Sequence, residues 1–497
     1  MARRAPLFAA IALLSACARF SPDGGLDSVR GILGNPASKD VVALRTPDDA
    51  EAARRIVAGL LAKPLSADNA VRIALLNNRD LQAAYNALGL SEAAMVQASV
   101  PPNPSFSFSR IGGGGEIEIE RQIAINILAL ATLPARAEIA ADRFRQAQFQ
   151  TAGETLRIAA EARRAFFRAV AARELAGFLA QSKSAAEAAT QLSKSLGETG
   201  AATKLDQARN QVFYAELTAQ LALARQRVTT ERERLVRALG LWGDDLDFKL
   251  PGALPALPGK PRAMAAVEVD AVRRRVDLQI ARLEVEALAK SYGLSGATRF
   301  VNLLEVGGIS KTRHEPDGAQ RHEGGFEVEF QIPLFDFGEV RQRQAEETYM
   351  QAVNRLTAKA VSARSEAREA YQAYRSSYDI ARHYRREVLP LRKIISDETL
   401  LRYNAMQIDV FALLTEARQR ITSTASAIEA QRDFWLAETN LGVALVGGGA
   451  SGQTSETTAA SAPAADIKET AMDLSRRRFV KLSAATLAGA AAVSTRA

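Results

Sequence analysis

Cysteine, histidine and long apolar runs are nearly missing from this sequence, and each scarcity removes a class of protein. The 497 residues hold one cysteine, Cys17, and three histidines, His314, His322 and His383. One thiol cannot close an internal disulfide, and without a Cys pair or a His-x-x-x-His no zinc site is expected. His314 and His322 read as solvated side chains of a polar loop, with weak metal binding as the alternative. After the first sixteen residues no run of 18 apolar residues occurs, so no helix can span a bilayer and any crossing must use closed strands. Aromatic residues make up only 6% of the chain, which is rich in alanine and charge, a composition that suits long helices. Catalytic signatures are absent too. Gly112 to Gly115 lacks the Gly-Lys-Ser/Thr ending of a phosphate loop, Gly259-Lys260 runs into Pro261, and no Gly-x-Ser-x-Gly occurs. The net charge is +8, but basic residues alternate with Glu and Asp instead of clustering with aromatics, which argues against nucleic acid. No enzyme, no cofactor and no metal are expected.

What is present begins with an export signal at residues 1–16. Arg3 and Arg4 precede an apolar run from Pro6 to Leu14, and Leu14-Ser15-Ala16-Cys17 follows. The last four residues resemble the lipobox of bacterial lipoproteins, which implies a covalent lipid on Cys17; a lone buried cysteine is the alternative. Ala18 stands where an aspartate would argue for inner-membrane retention, so an outer-membrane anchor fits. At the other end, 447–497 reads as an unstructured tail rich in Gly, Ser, Thr and Ala. It holds Met472-Asp473-Leu474-Ser475-Arg476-Arg477-Arg478-Phe479-Val480-Lys481, similar to a twin-arginine export signal with its own starting Met. A chain running on into a neighbouring reading frame would explain it; a plain basic tail is the alternative.

The body is written twice. Asp80-Leu81-Gln82 recurs as Asp277-Leu278-Gln279, Glu118 to Ile123 as Glu327 to Ile332, and Leu205-Asp206 as Ile408-Asp409, at spacings of 197, 209 and 203 residues. After a mostly extended segment, 17–63, with a short helix expected near Pro47 to Leu61, the first repeat covers 64–242, a Pro-rich connector 243–262, and the second repeat 263–446. Each repeat reads helix, strand pair, very long helix, tight turn, second helix. A helix is expected from Ser66 to Val100, ended by Pro101-Pro102-Asn103-Pro104. Phe106 and Phe108, then Ile117 and Ile119 between Glu116, Glu118 and Glu120, alternate at the strand period. The long helix should run from Leu133 to about Leu196, roughly 96 Å at 1.5 Å per residue. Its seam, Ile158, Ala162, Ala165, Ala169, Ala172, Ala176 and Leu179, steps by four and three as in coiled coils. A return helix spans Thr203 to Leu241. In the second repeat the expectations are a helix over Ala263–Tyr292, strands over Thr298–Val306 and Gly325–Phe335, a long helix over Val340–Leu401 kinked at Pro390, and a closing helix over Ile408–Leu445. Two short strands cannot make a stable sheet alone, so other copies should complete it.

On these residues the chain resembles the TolC-type outer-membrane efflux family. The resemblance rests on Pro64-Leu65-Ser66 leading to Ala74-Leu75-Leu76-Asn77-Asn78 and Asp80-Leu81-Gln82, and on Pro102-Asn103-Pro104 before the first strand. It rests also on Pro333-Leu334-Phe335-Asp336-Phe337-Gly338 after the fourth strand, and on Tyr403, Ile408-Asp409 and Leu413-Leu414 at the second helical turn. It implies a mainly α fold with a small β part: a homotrimer whose twelve-strand transmembrane β-barrel continues into a periplasmic α-barrel. It also implies partners, namely a periplasmic adaptor protein, an inner-membrane pump and outer-membrane lipid. The family usually has Gly in the turn after the Tyr; here Met406 stands there, and Asn404 is expected to take the left-handed conformation instead.

Function is then expected to be passive export of small molecules or metal ions through an outer-membrane exit duct. A poreless periplasmic coiled-coil scaffold and a duct for type I protein secretion are the alternatives. Asp206 and Asp409, with Glu198 and Arg402 beside them, are gate candidates, because three copies of each Asp would make carboxylate rings. The other reading is that each Asp is a helix cap or first-turn acid. Glu116, Glu118, Glu120, Glu327 and Glu329 should face a water-filled lumen, and Ile117, Ile119 and Val328 should face lipid.

Overall fold

A computed structural model describes residues 20–447 except 35, 115, 201, 265 and 316. The signal at 1–16, Cys17 and the stretch 448–497 lie outside the described residues. No described helix is long and apolar enough to cross a membrane.

The N-terminal segment holds α1 (Leu26–Leu33), which its glycines and prolines do not suggest, and α2 (Pro47–Leu61), with the bounds expected from the sequence. Thr46 and Asp49 cap α2 reciprocally, with Pro47 in its first turn. Gly25 precedes α1 at φ 82°, and a Cβ there would lie 2.7 Å from the Phe144 ring, so glycine lets the chain lie flat on the long helix. The buried Glu92 carboxylate accepts from Ser21 N at 2.6 Å, and the Gln82 amide bonds Val42 O and Leu44 N like a strand partner.

The helix expected over 66–100 is two, α3 (Ala67–Asn77) and α4 (Arg79–Ser99). Asn78 breaks it at φ −67°, ψ 123° and accepts from the N–H groups of Asp80 and Leu81. The second half breaks in the same way. α8 (Val267–Arg274) and α9 (Val276–Ala297) meet at Arg275, φ −62°, ψ 121°. Each break is covered by the glycine ending its repeat. A Cβ on Gly240 would sit 3.0 Å from Asn77 O, and one on Gly447 3.0 Å from Val276 N. Gly447 therefore belongs to the folded body and not to the tail.

Strands β1 (Ser105–Gly113), β2 (Glu116–Asn126), β3 (Leu303–His314) and β4 (Gln320–Gln331) form one antiparallel sheet in the order β1-β2-β3-β4. The two hairpins complete each other within the chain through β2–β3, from Ile117 opposite His314 to Asn126 opposite Glu305. β3 and β4 lie further from the flanking helices in sequence than expected. Pro333 stops β4 short of Phe335, and β3 continues through Lys311 to His314, so His314 and His322 are strand residues and not loop residues.

A short turn of helix, α5 (Ile127–Ala131), leads into α6 (Leu133–Glu198), a single helix of 66 residues, which returns as α7 (Lys204–Leu239). In the second half α10 (Glu339–His383) passes through a π-turn at Tyr384–Val388 into α11 (Leu389–Asn404), and α12 (Val410–Val446) returns. Pro390 has no N–H for the Arg386 carbonyl and its ring crowds it, so the turn before it widens to i→i+5 bonding. The boundaries recur 206 residues apart: Leu133 and Glu339, Glu198 and Asn404, Lys204 and Val410. This register equates Thr203 with Asp409. The Leu205-Asp206 and Ile408-Asp409 pairing is three residues out of step.

The seam of α6 is buried at Ile158, Ala162, Ala165, Ala169, Ala172 and Leu179; the seam of the second arm is buried at Ala363, Ala367, Tyr374 and Ala381, then surfaces at Leu391 and Ile395. An aromatic chain crosses the middle of the helices. Phe167 stacks on Trp435 at 5.2 Å, Trp435 meets Phe434 at 5.1 Å, and Phe434 meets Tyr374 and Tyr378 at 5.6 and 5.7 Å. The polar tips of this chain hold the connector. Tyr378 Oη lies 3.0 Å from Pro258 O, Trp435 Nε1 donates to Pro255 O, and Tyr374 Oη accepts from Arg262 N. From α6, Glu174 accepts from Leu254 N at 2.8 Å, while half-burial pushes its carboxyl pKa up.

Candidate functional site

Residues directly opposite in an antiparallel sheet share a face, so the register assigns every strand residue to one of two surfaces. Glu116, Glu118, Glu120, Glu327 and Glu329 fall on one face, with Glu305 and Glu323 added by the pairing. Lys311 lies 3.2 Å from Glu120 and Arg313 3.4 Å from Glu118, so the cations of this face are bound into it. Glu305 sits directly opposite Glu329, two like charges that disfavour each other, and Asn126 Nδ2 donates to Glu305 at 3.3 Å. The other face carries Phe106, Phe108, Ile117, Ile119, Ile123, Phe326, Val328 and Phe330. Phe326 is 83% exposed and Phe106 66%. An apolar surface of this extent standing open on a soluble monomer is unusual.

At the opposite end, 66 residues of helix away, the four tip residues play separate parts. Asp206 is the third residue of α7; its N–H donates to Thr203 Oγ1 at 3.1 Å, Thr203 Oγ1 donates back to Oδ2 at 2.6 Å, and Arg209 lies 3.8 Å from Oδ1. Asp409 is the N-cap of α12 and accepts from Ala412 N at 2.9 Å. Arg402 pairs with Glu398 one turn back at 3.1 Å, and Glu198 ends α6. Among the described residues no ion pair or hydrogen bond joins any two of the four. The link between the two turns is one the sequence reading missed: the Arg209 guanidinium lies over the Phe411 ring at 4.9 Å. Local spacing gives no sign of it, because Arg209 and Phe411 stand on separate helices, each in the first turns after its own loop. Further up, Arg418 bonds Glu216 at 2.9 Å and holds α12 against α7.

The turn before Asp409 differs from expectation. Asn404 stays helical and Met406 takes the left-handed position at φ 57°. Met406 N donates to Tyr403 O and Gln407 N to Arg402 O, the pair of bonds that closes a helix with a left-handed residue at this place. Gly200 fills the matching position of the first half at φ 75°. Helix bonding fixes which residue must turn, so the preference of Asn is overridden and a methionine that is 93% exposed bears the strain.

His314 and His322 lie on the apolar face, where His322 Nδ1 meets Thr312 Oγ1 at 3.2 Å. Among the described residues no three His, Cys, Asp or Glu side chains gather as a metal site.

Comparison with known proteins agrees with this architecture. Residues 269–396 match the family model of the outer membrane efflux protein. Among solved structures, CusC, described with conformational changes accompanying folding and transmembrane channel formation, is 16% identical with a TM-score of 0.64, covering 76% of this chain and 91% of its own. The outer-membrane channel OprN is 16% identical with a TM-score of 0.64, covering 77% and 90%. The Campylobacter jejuni CmeC outer membrane channel is 14% identical with a TM-score of 0.63, covering 77% and 86%. No curated protein sequence matches. At these identities the structural likeness is one of fold. The second half thus carries an outer membrane efflux protein domain, and the chain has the fold of the outer-membrane efflux channels.

Proposed function

We propose that this protein is the exit duct of a tripartite efflux system, anchored in the outer membrane by lipid on Cys17. Three copies close their four-stranded sheets into a twelve-strand barrel, and their helical arms form a tube across the periplasm to an adaptor protein and an inner-membrane pump. The duct is passive: small molecules or metal ions pass through it and the pump supplies the energy. One observation carries the reading. The sheet is open, with β1 and β4 as its edges, apolar and exposed on one face and lined with glutamates on the other. Unpaired strand edges cannot stand in hydrocarbon, so closure must come from further copies. A poreless scaffold leaves the exposed phenylalanines without a purpose.

Cysteine pairs placed on β1 and β4, at Ser107 or Ser109 and at Gly325 or Glu327, test the closure. Within one chain these strands are three strand spacings apart, roughly 14 Å. A disulfide needs Cα atoms within about 7 Å. Cross-links are therefore expected only between copies, giving a ladder that ends at a trimer. Monomeric loops, or no cross-link at any pair in the membrane fraction, would refute the barrel.

In this duct Asp206 and Asp409 form carboxylate rings at the periplasmic mouth, with Glu198 and Arg402 beside them. Asp206→Ala and Asp409→Ala are expected to raise leak conductance in planar bilayers. Asp409→Asn keeps an acceptor for Ala412 N but removes the charge, and is expected to leak as well. Wild-type conductance in Asp409→Asn would reduce the residue to a helix cap, worth about 1 kcal/mol.

A further inference from the structure

All seven glutamates of the sheet lie on one face, and the opposite face has no acid at all. The bases divide differently. Lys311, Arg313 and Arg321 stand on the acidic face, and each has an ion-pair partner: Glu120 at 3.2 Å, Glu118 at 3.4 Å and Glu315 at 2.8 Å. Arg110 and Arg121 stand on the apolar face, are exposed, and have no ion-pair partner among the described residues. His314 and His322 share that face.

The position of these four is not random along the strands. The rows nearest the helical arms are apolar: Leu304 with Phe330, Ile125 with Val306 and Val328, Phe106 with Ile123 and Phe326. The two arginines and two histidines occupy the three rows nearest the turns. Arg121 faces Phe108, Arg110 shares a row with Thr312 and His322, and His314 faces Ile117 and Gln320. An arginine on the lipid side of a barrel is costly at mid-depth and nearly free at the interface. The turns point away from the arms, so with the arms in the periplasm these rows lie at the outer leaflet. A guanidinium there is matched by phosphate, which accepts its paired N–H groups in a planar fork.

We propose that Arg110, Arg121, His314 and His322 form a belt that binds the phosphate groups of outer-leaflet lipids. The inference rests on the barrel reading above and adds a ligand to it. The four side chains supply donors with no competing carboxylate on their face, and the phenylalanine and isoleucine rows beneath accept the acyl chains.

The full chain, extracted in an uncharged maltoside detergent, is titrated with bis-phosphorylated lipid A and with its dephosphorylated form, and bound lipid is counted by native mass spectrometry. The phosphorylated form is expected to bind about tenfold more tightly. Arg110→Gln/Arg121→Gln should abolish that preference, while Lys311→Gln on the acidic face should leave it intact. Equal binding of both forms, an unchanged preference in the double variant, or loss in Lys311→Gln would each overturn the belt. So would full displacement by millimolar inorganic phosphate, which would make the site one for the free anion. The β1–β4 cross-link ladder, run on the same samples, separates the two readings. A trimer without phosphate preference sinks the belt alone; a protein recovered without detergent and without cross-links sinks both.

Discussion

Phe434→Ala is expected to lower unfolding stability by about 3–5 kcal/mol, the range for removing a fully buried aromatic side chain. Phe434 is 0% exposed and touches Tyr374, Tyr378 and Trp435, with Trp435 passing the contact on to Phe167 of the first half. The void would therefore open between α10 and α12 and loosen the stack that joins them to α6. The same aromatics hold the connector through Pro255, Pro258 and Arg262, so slackening should also free that strand of chain to proteases. Thermal melting of the detergent-solubilised protein by circular dichroism, with limited proteolysis between 243 and 262, measures both. Phe434→Leu keeps most of the volume and should cost about 1.5 kcal/mol or less. A melting point shared by wild type and Phe434→Ala would show that the stack does not hold the halves together.

Gly338→Val should be at least as damaging, for a different reason. Gly338 opens α10 at φ 71°, directly after Phe337 at φ 46°, so the chain leaves β4 for the helix through two left-handed residues. A Cβ at 338 would fall 2.3 Å from the carbonyl oxygen of Arg299, a backbone atom that no rotamer change can move. Arg299 is itself fixed there, donating through Nε to Phe337 O and pairing with Glu339. Left-handed strain alone costs about 1–2 kcal/mol, and the clash adds to it. The variant is expected to be missing from the membrane fraction and to give no β1–β4 cross-link. Gly293→Ala in α9, where a new Cβ meets nothing within 4 Å, should instead be neutral or stabilising by up to about 1 kcal/mol. Normal membrane recovery of Gly338→Val would mean that the strand-to-helix turn is not fixed as described.

The helical arms could be read from the chain because their signal is long and repetitive. Alternating steps of four and three located the seam, and the glycines after Leu196 marked the turn to within two residues. Breaks set by tertiary contact were invisible. Nothing local at Asn78 or Arg275 shows that Gly240 and Gly447 will abut those points, so each pair of helices read as one. β3 was misplaced because Gly307-Gly308 and the Lys311–His314 stretch resemble a polar loop, and only pairing with β2 makes a strand of them. At the tip, residue preference favoured Asn404 where helix hydrogen bonding selected Met406. The Asp206 and Asp409 repeat looked like one position written twice; the caps equate Asp409 with Thr203 instead, and contacts across the turns such as Arg209 on Phe411 carry no sequence period.

The equal reach of the two arms has a consequence for how such a chain can change. The 66 residues of α6 are matched by the 45, 5 and 16 residues of α10, the π-turn and α11. In the proposed duct, a tube assembled from both kinds of arm ends in a level rim only while that match holds. Lengthening or trimming one half alone would leave alternate staves of that duct protruding, so any change in its length must be made in both halves together.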